Sequence, residues 1–222
     1  TLIKIDLSGH GKSENNNAVN SMDFMAEKVK EVIEKLNLNK INILGHSMGG
    51  YVSLAFAEKF PESIESLTLF FSTTLADDEE KKQIRRRSIA VIDENFETFV
   101  NASIPNLFSN NEKDILEGKI ELAKKIAKST NKEGVKAAQL GMAERPDRTE
   151  ILEKLEAKIL IIAGKYDNAV KTENLLKALP DKTNIKTYVL DCGHCGHWEK
   201  PTICAEIINT ELLHNLPKKL VF

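Results

Sequence analysis

The sequence lacks a long apolar run and an excess of basic residues. None of its hydrophobic stretches approaches the roughly 18 residues that a membrane-spanning helix needs, so we expect no membrane partner. Its 31 Lys and Arg are offset by 33 Asp and Glu, which leaves a net charge of −2. No basic stripe runs along any segment, so nucleic-acid binding has no support. Internal repeats are also absent, and a chain of 222 residues can bury one substantial core.

Cysteine is scarce, and the three residues present leave at least one thiol unpaired. Residues 192–197 contain two cysteines and two histidines, which leaves a metal site and a Cys192–Cys195 disulfide open as alternatives. Structural zinc sites draw ligand pairs from separated segments, and the sequence has no second cluster of ligands. Because reduced thiols are the rule in the cytosol, we expect a cytoplasmic protein with free thiols and no metal.

Gly45-His46-Ser47-Met48-Gly49 lies between two different patterns. Ile41, Ile43 and Leu44 predict a short apolar strand, whereas residues 50–59 carry apolar side chains at helical spacing. A serine at such a junction is held on a sharp turn, and we expect the flanking glycines because a side chain would collide with the strand and the helix. The helix points its N-terminus at Ser47, so the Met48 N–H is a donor for negative charge developing beside it.

A serine nucleophile also needs a base and an acid that orients the base. Residues 158–163 form the most continuous apolar run and predict a parallel strand buried on both faces, after which Asp167 follows. Residues 185–190 predict a further strand, and His194 follows it. Open α/β sheets place their sites at the carboxyl ends of the strands. We therefore predict that Asp167 and His194 meet the serine at one edge of the sheet.

Other histidines compete for the role of base. His10 and His46 lie in turns, where we expect local hydrogen bonding and shaping of the pocket, and His214 near the C-terminus is expected to be solvated. His197 is the alternative to His194, which it follows by three residues.

Two aspartates compete with Asp167 for the role of the acid. Asp191 is close to His194 in sequence and therefore poorly placed to face it, and Asp181 is expected in the loop at a helix end.

Four motifs resemble those of the α/β-hydrolase superfamily: Asp6-x-x-Gly9-x-Gly11-x-Ser13, Gly45-x-Ser47-x-Gly49-Gly50, Gly164-x-x-Asp167, and Gly193-His194 followed by Glu199 and Pro201. The resemblance implies a mostly parallel sheet flanked by helices, with no metal or organic cofactor. It also implies that Ser47 is the nucleophile, Asp167 the acid, His194 the base and the Met48 N–H an oxyanion donor. In this family the base precedes a Glu-x-Pro by five residues, a spacing that favours His194 over His197.

Residues 73–148 differ in character from the rest of the chain. Charged runs and helical patterns replace the strand patterns, and the segment resembles the helical cap that this family inserts into its core. Residues 1–72 and 149–222 are then the two parts of the hydrolase core. We expect an apolar pocket above Ser47, and the residues proposed for it are His46, Phe96, Phe99, Leu107, Phe108 and Met142.

Residues 2–7 also predict a strand, and the chain begins without methionine. In the family, further strands and a helix precede this strand, and a loop among them carries the second oxyanion N–H. The resemblance therefore implies that this chain is a fragment of a longer protein, with the first strands of the sheet missing.

The implied reaction is hydrolysis of a small to medium carboxylic ester or lactone through an acyl-enzyme on Ser47. Residues 142–148 resemble a stretch of esterase and enol-lactonase-like members. The resemblance leaves three alternatives open: a carbon–carbon bond hydrolase, a cofactor-free haloperoxidase, and a ligand-binding receptor with little turnover. Serine at position 47 argues against dehalogenase or epoxide-hydrolase chemistry, for which related members use aspartate. The oligomeric state stays open.

Overall fold

The fold is built on a sheet of four parallel strands in the order β1-β2-β3-β4. The structure is a computed structural model that describes residues 1–213, so the expectation for His214 lies outside the described residues. The strands are β1 (Ile41–His46), β2 (Ile64–Phe70), β3 (Lys158–Gly164) and β4 (Ile185–Leu190). Because all four are parallel, their carboxyl ends lie at one edge, and the predicted class of parallel α/β sheet is confirmed.

Helices connect the strands. They are α1 (Met22–Lys35), α2 (Met48–Lys59), α3 (Glu79–Glu94), α4 (Phe96–Ser103), α5 (Lys113–Lys128), α6 (Lys132–Glu144), α7 (Thr149–Lys154), α8 (Thr172–Ala178), α9 (Gly196–Glu199) and α10 (Pro201–Ile208). Short 3₁₀ turns span Pro61–Ser63, Ile104–Leu107 and Asn110–Glu112, and a π turn spans Asn209–Leu213. Side-chain caps start several helices: Ser21, Asp78 and Asn131 each accept a backbone N–H three residues on. No helix within residues 1–213 combines the length and apolarity required to cross a bilayer.

The core occupies both faces of the sheet. Successive residues of β3 point to opposite faces, so Ile159 and Ile161 join the larger cluster with α1, α2 and α7, and Leu160 and Ile162 join a smaller one. This explains why the strand is apolar throughout: six of its seven residues are buried. The sequence pattern predicts β3 and β4 well, but it did not identify β2 or α1 as elements.

The prediction of a strand over residues 2–7 is wrong for this structure. The segment is irregular, and the side chains of Leu2 and Ile3 are 83% and 41% exposed. A strand forms only where its backbone pairs with a neighbour, and within residues 1–213 no strand lies beyond β1 on that side of the sheet. The segment instead lines a groove of about 390 Å³ together with α1.

Helices α3 to α6 lie between β2 and β3, where the sequence predicts a helical insertion. Helix α6 packs closely on the loop that precedes α1: the N–H of Asn20 donates to the carbonyl of Ala137 at 3.0 Å. A second group of insertion residues packs around Phe108 against the loop that carries His194. The insertion thus contacts the core in two places, at the loop before α1 and at the loop that carries His194.

Candidate active site

Ser47 lies on the sharp turn between β1 and α2. Its backbone has φ 51° and ψ −117°, which is an unusual conformation for a residue with a side chain. Two hydrogen bonds hold it there: the Ser47 N–H donates to the carbonyl of Phe70 at 3.0 Å, and the Ser72 hydroxyl donates to the carbonyl of Ser47 at 2.8 Å. The strain is therefore supported by the neighbouring strand β2 and the residues that follow it.

The glycines of this turn differ in their surroundings. A Cβ on Gly45 would lie 2.2 Å from the carbonyl oxygen of Gly49, so no side chain fits there. A Cβ on Gly50 would lie 2.3 Å from the Ser72 hydroxyl. A Cβ on Gly49, in contrast, would meet nothing within 4 Å. The expected crowding is thus confirmed at Gly45 and wrong at Gly49, since the helix is crowded at the next residue instead.

The structure brings Ser47, His194 and Asp167 into one hydrogen-bonded chain. Nε2 of His194 lies 2.7 Å from the Ser47 hydroxyl, and Nδ1 of His194 lies 2.8 Å from Oδ2 of Asp167. The side chains of His194 and Asp167 are 2% and 1% exposed. Because a carboxylate can only accept, Nδ1 carries the proton, and Nε2 is left to accept from the serine. This is the tautomer that a general base requires.

Asp167 is fixed on both of its oxygens. Oδ1 accepts the backbone N–H groups of Ala169 and Val170, each at 2.8 Å, and Oδ2 accepts from Nδ1 of His194. The turn after β3 therefore orients the carboxylate before any substrate is present.

The backbone of His194 is held from two directions. Its N–H donates to the carbonyl of Leu107 at 2.9 Å, and its carbonyl lies 3.0 Å from Nε2 of His46. Glu199 ties the same loop to the insertion, because its Oε2 accepts the N–H of Gly193 at 2.9 Å and that of Ser109 at 3.2 Å. No sequence pattern indicated the contributions of Leu107 and Ser109, since both act through backbone groups.

Met48 is the first residue of α2. The first N–H groups of an α-helix have no partner within the helix, and the helix N-terminus carries partial positive charge. The Met48 N–H thus lies next to Ser47 at a helix end that favours an anion, and its part as an oxyanion donor stays a prediction.

The other histidines and aspartates considered for the base and the acid have different partners. His197 packs its ring against that of His46 with centroids 4.7 Å apart, and burial together with the charge of His194 lowers its pKa to about 4. Nδ1 of His10 contacts the carbonyl of Ser8, the local bond expected of it. Asp191 is exposed and pairs with Lys165, and Asp181 is exposed.

The six residues proposed for the pocket differ in their surroundings. Phe108 exposes none of its side chain and packs in the insertion against Trp198, and Met142 packs against the main core. Phe96 and Phe99 are half-buried and stack on each other with centroids 6.4 Å apart. Phe108 is therefore corrected to a packing residue, because its apolar surface is already covered by protein. Met142 is half-buried, and its place in the pocket stays a prediction, as do those of the other four residues.

Cys192, Cys195 and Cys204 are free and buried, so the alternative of a Cys192–Cys195 disulfide is not realised. Burial raises the pKa of Cys195 to about 12 and that of Cys204 to about 11, which makes both thiols unreactive near neutral pH. Within residues 1–213, no three His, Cys, Asp or Glu side chains are grouped so that they could hold a metal ion.

A buried cluster of charged side chains lies next to the site, and no sequence pattern indicated it. Asp77, whose side chain is 1% exposed, accepts hydrogen bonds from Arg85 and from Arg145. Lys81 lies 3.7 Å from the same carboxylate and donates to the carbonyl of Ala169 at 2.6 Å, in the turn that holds Asp167. Asp77 and Lys81 belong to a charged run of the sequence, and only the tertiary fold reveals that part of this run is buried.

Comparisons with known proteins agree with the observed fold. The model of the alpha/beta hydrolase fold family matches residues 1–201. A thermophilic esterase from Thermogutta terrifontis, solved with malate bound, superposes with a TM-score of 0.84 at 32% identity, over 92% of this chain and 76% of that one. The enol-lactonase of Burkholderia xenovorans LB400 shares the fold, with a TM-score of 0.81 at 20% identity, over 92% of this chain and 78% of that one.

Another relative has a name that gives a different activity. The 2-hydroxy-6-oxononadienedioate/2-hydroxy-6-oxononatrienedioate hydrolase of Escherichia coli is 28% identical over 209 residues, covering 89% of this chain and 71% of that protein. Since the family model spans most of the sequence, the predicted family is confirmed: this chain belongs to the alpha/beta hydrolase fold family.

Proposed function

We propose that the protein is a serine hydrolase that cleaves small to medium carboxylic esters or lactones through an acyl-enzyme on Ser47. The observation that carries the proposal is the continuous chain of hydrogen bonds from Ser47 through His194 to Asp167, with contacts of 2.7 and 2.8 Å. A nucleophile, a base and an orienting acid in this arrangement are the groups that acyl transfer requires.

In the first half of the reaction, the Ser47 oxygen attacks the carbonyl carbon while its proton passes to Nε2 of His194. Asp167 stabilises the imidazolium that forms, and the Met48 N–H donates to the oxyanion. When the tetrahedral intermediate collapses, the bond to the leaving oxygen breaks and His194 returns the proton to that oxygen. The alcohol leaves and the acyl group stays on Ser47.

In the second half, water takes the place of the alcohol. Nε2 of His194 accepts a proton from the water as its oxygen attacks the acyl carbon. Collapse then breaks the bond to Ser47, whose oxygen recovers the proton, and the carboxylic acid is released. The same three side chains serve both halves, and no proton is gained or lost by the enzyme.

The similarity to the Thermogutta terrifontis esterase, at 32% identity, supports ester cleavage. The test is turnover of p-nitrophenyl acetate and p-nitrophenyl butyrate by the wild type and by Ser47→Ala. We expect the wild type to release p-nitrophenol and the variant to lose at least about 10³-fold in kcat/KM. Equal rates for the two proteins would refute the mechanism.

Hydrolysis of a carbon–carbon bond is the second candidate. It is favoured by the 28% identity to the Escherichia coli hydrolase, whose name gives 2-hydroxy-6-oxononadienedioate as a substrate. Steady-state kinetics discriminate between the two candidates. If the protein is a carbon–carbon bond hydrolase, its kcat/KM with that dienedioate will exceed its kcat/KM with p-nitrophenyl butyrate by orders of magnitude. Ser47→Ala is the control for both substrates.

We also propose that residues 73–148 act as a cap over the site. This is supported by the position of α3 to α6 between β2 and β3 and by the bonds from Leu107 and Ser109 to the loop that carries His194. A cap of this kind would select substrates by shape. Substitutions confined to it should change KM and substrate preference more than the rate of acyl transfer.

A further inference from the structure

His46, the residue before the nucleophile, forms a hydrogen bond with the backbone of His194, the base. Nε2 of His46 lies 3.0 Å from the backbone carbonyl oxygen of His194, although the two residues are 148 positions apart. A carbonyl oxygen only accepts, so Nε2 of His46 must carry the proton and donate it. The catalytic mechanism proposed above makes no use of this side chain.

His46 is held in place by the rings around it. The ring centroids of Phe70, Phe71 and His197 lie 5.8, 6.2 and 4.7 Å from its own, all in edge-to-face arrangements. Such contacts fix the plane of the imidazole and therefore the direction of its N–H. Burial, with a further contribution from His194, lowers the pKa of His46 to about 3. The ring is thus neutral, with a single proton, whenever the enzyme works near neutral pH.

The hydrogen bond from His46 to the His194 carbonyl links Ser47 and His194 through few intervening atoms. His46 is peptide-bonded to Ser47, whose N–H is anchored on the carbonyl of Phe70 at 3.0 Å. At the other end, the N–H of His194 is anchored on Leu107 at 2.9 Å, which leaves its carbonyl to be fixed by His46. Without His46 this carbonyl would lose the one partner that the described residues give it, and the loop would keep only its other ties, to Leu107 and to the turn after β3.

We propose that His46 is a positioning residue that holds the backbone of His194 at the distance from Ser47 that proton transfer needs. This inference rests on the proposed function, since it assigns His46 a part in the same reaction. A displacement of a catalytic group by about 1 Å can lower a rate about 10²-fold. His46 therefore acts on the rate through His194, without touching the substrate.

Two variants separate this role from packing. His46→Gln retains an N–H donor at a similar reach, and His46→Met fills similar space with no donor. We expect His46→Met to lower kcat for p-nitrophenyl butyrate by about 10- to 100-fold with little change in KM, and His46→Gln to restore most of the loss. Equal kcat values for the two variants, whether high or low, would overturn the proposal, because a packing role does not distinguish them.

A second measurement does not depend on turnover. In ¹⁵N-histidine NMR spectra we expect His46 to carry its proton on Nε2, and the low-field proton on Nδ1 of His194 to be sharp in the wild type and His46→Gln but broadened in His46→Met. A proton on Nδ1 of His46, or an unchanged His194 signal in His46→Met, would contradict the inference. If instead the wild type failed to hydrolyse esters while these spectra behaved as expected, the proposed function would fail and the positioning of His194 would stand.

Discussion

The Ser47 hydroxyl oxygen lies 2.7 Å from Nε2 of His194, although 147 positions separate the two residues in the sequence. The contact exists because β1 and β4 are parallel and end at the same edge of the sheet. At this distance a proton can pass from oxygen to nitrogen with little movement of either group. The remaining features of the site either orient these two atoms or hold the loops that carry them.

The orienting role of Asp167 predicts a large loss of activity in Asp167→Asn. The amide cannot hold the same histidine tautomer, and we expect kcat to fall by about 10⁴-fold without a loss of folded structure. Steady-state kinetics with p-nitrophenyl butyrate and circular dichroism would measure the two effects. The matched control is Asp191→Asn, since Asp191 is exposed and pairs with Lys165 outside the site. Similar kinetics for the two variants would refute the assignment of the acid.

The lowered pKa values of His46 and His197 predict a loss of stability in mild acid. Burial lowers the pKa of His46 to about 3 and that of His197 to about 4, both from 6.5. Below pH 6.5 the unfolded chain therefore binds more protons at these two histidines than the folded chain does. The stability that the neutral rings contribute is fully present above pH 6.5 and falls as the pH drops toward 4. Urea midpoints at pH 7.5 and pH 5 would measure this effect. We expect a smaller difference between them in the double variant His46→Gln, His197→Phe, and an unchanged difference would contradict these pKa values.

The cluster around Asp77 predicts a severe folding defect in Asp77→Asn. Burial raises the pKa of this carboxyl, but the hydrogen bonds from Arg145 and Arg85 outweigh burial and lower it overall. Removing the charge would leave the buried guanidinium group of Arg145 and the half-buried one of Arg85 without their carboxylate, at a cost of about 3–5 kcal/mol in the free energy of unfolding.

The control for this variant is Asp93→Asn, because Asp93 is half exposed and pairs with Lys136 on the surface. Such surface pairs contribute little, and we expect its urea midpoint to stay close to that of the wild type. A loss in Asp77→Asn no larger than that in Asp93→Asn would show that the cluster is not required for stability.

The close approach of α6 to the loop before α1 predicts opposite effects for two glycine substitutions. A Cβ on Gly141 would lie 1.9 Å from the backbone oxygen of Asn20, so Gly141→Ala should cost about 1–3 kcal/mol. Gly118 lies in α5 with nothing within 4 Å of the same position, and Gly118→Ala should add about 0.5–1 kcal/mol through helix propensity. Thermal unfolding would compare them. A Gly141→Ala protein as stable as Gly118→Ala would mean that α6 does not dock as described.

The sequence predicts those parts of the site that depend on local pattern. Asp167 and His194 could be placed because each follows an apolar run, and parallel strands end together. Strand β2 was harder to identify, because its Glu65, Ser66 and Thr68 break the apolar pattern although Ser66 and Thr68 are buried in the sheet.

Features that depend on tertiary contacts could not be predicted. Residues 2–7 have a strand-like pattern, but pairing requires a neighbour and the described residues provide none on that side. Phe108 and Met142 are both apolar residues of the insertion, yet one packs beside Trp198 and the other on the main core. The bond from His46 to the His194 carbonyl joins distant positions, and no periodicity encodes it.

The measurement that tests the central claim most directly is the mass of the acyl-enzyme. The wild type would be mixed briefly with p-nitrophenyl acetate, quenched in acid and analysed by intact-protein mass spectrometry with peptide mapping. The account predicts the added mass of one acetyl group on Ser47, a burst of p-nitrophenol equal to the enzyme concentration, and neither in Ser47→Ala. An acetyl group on any other residue, or the same burst from Ser47→Ala, would contradict it.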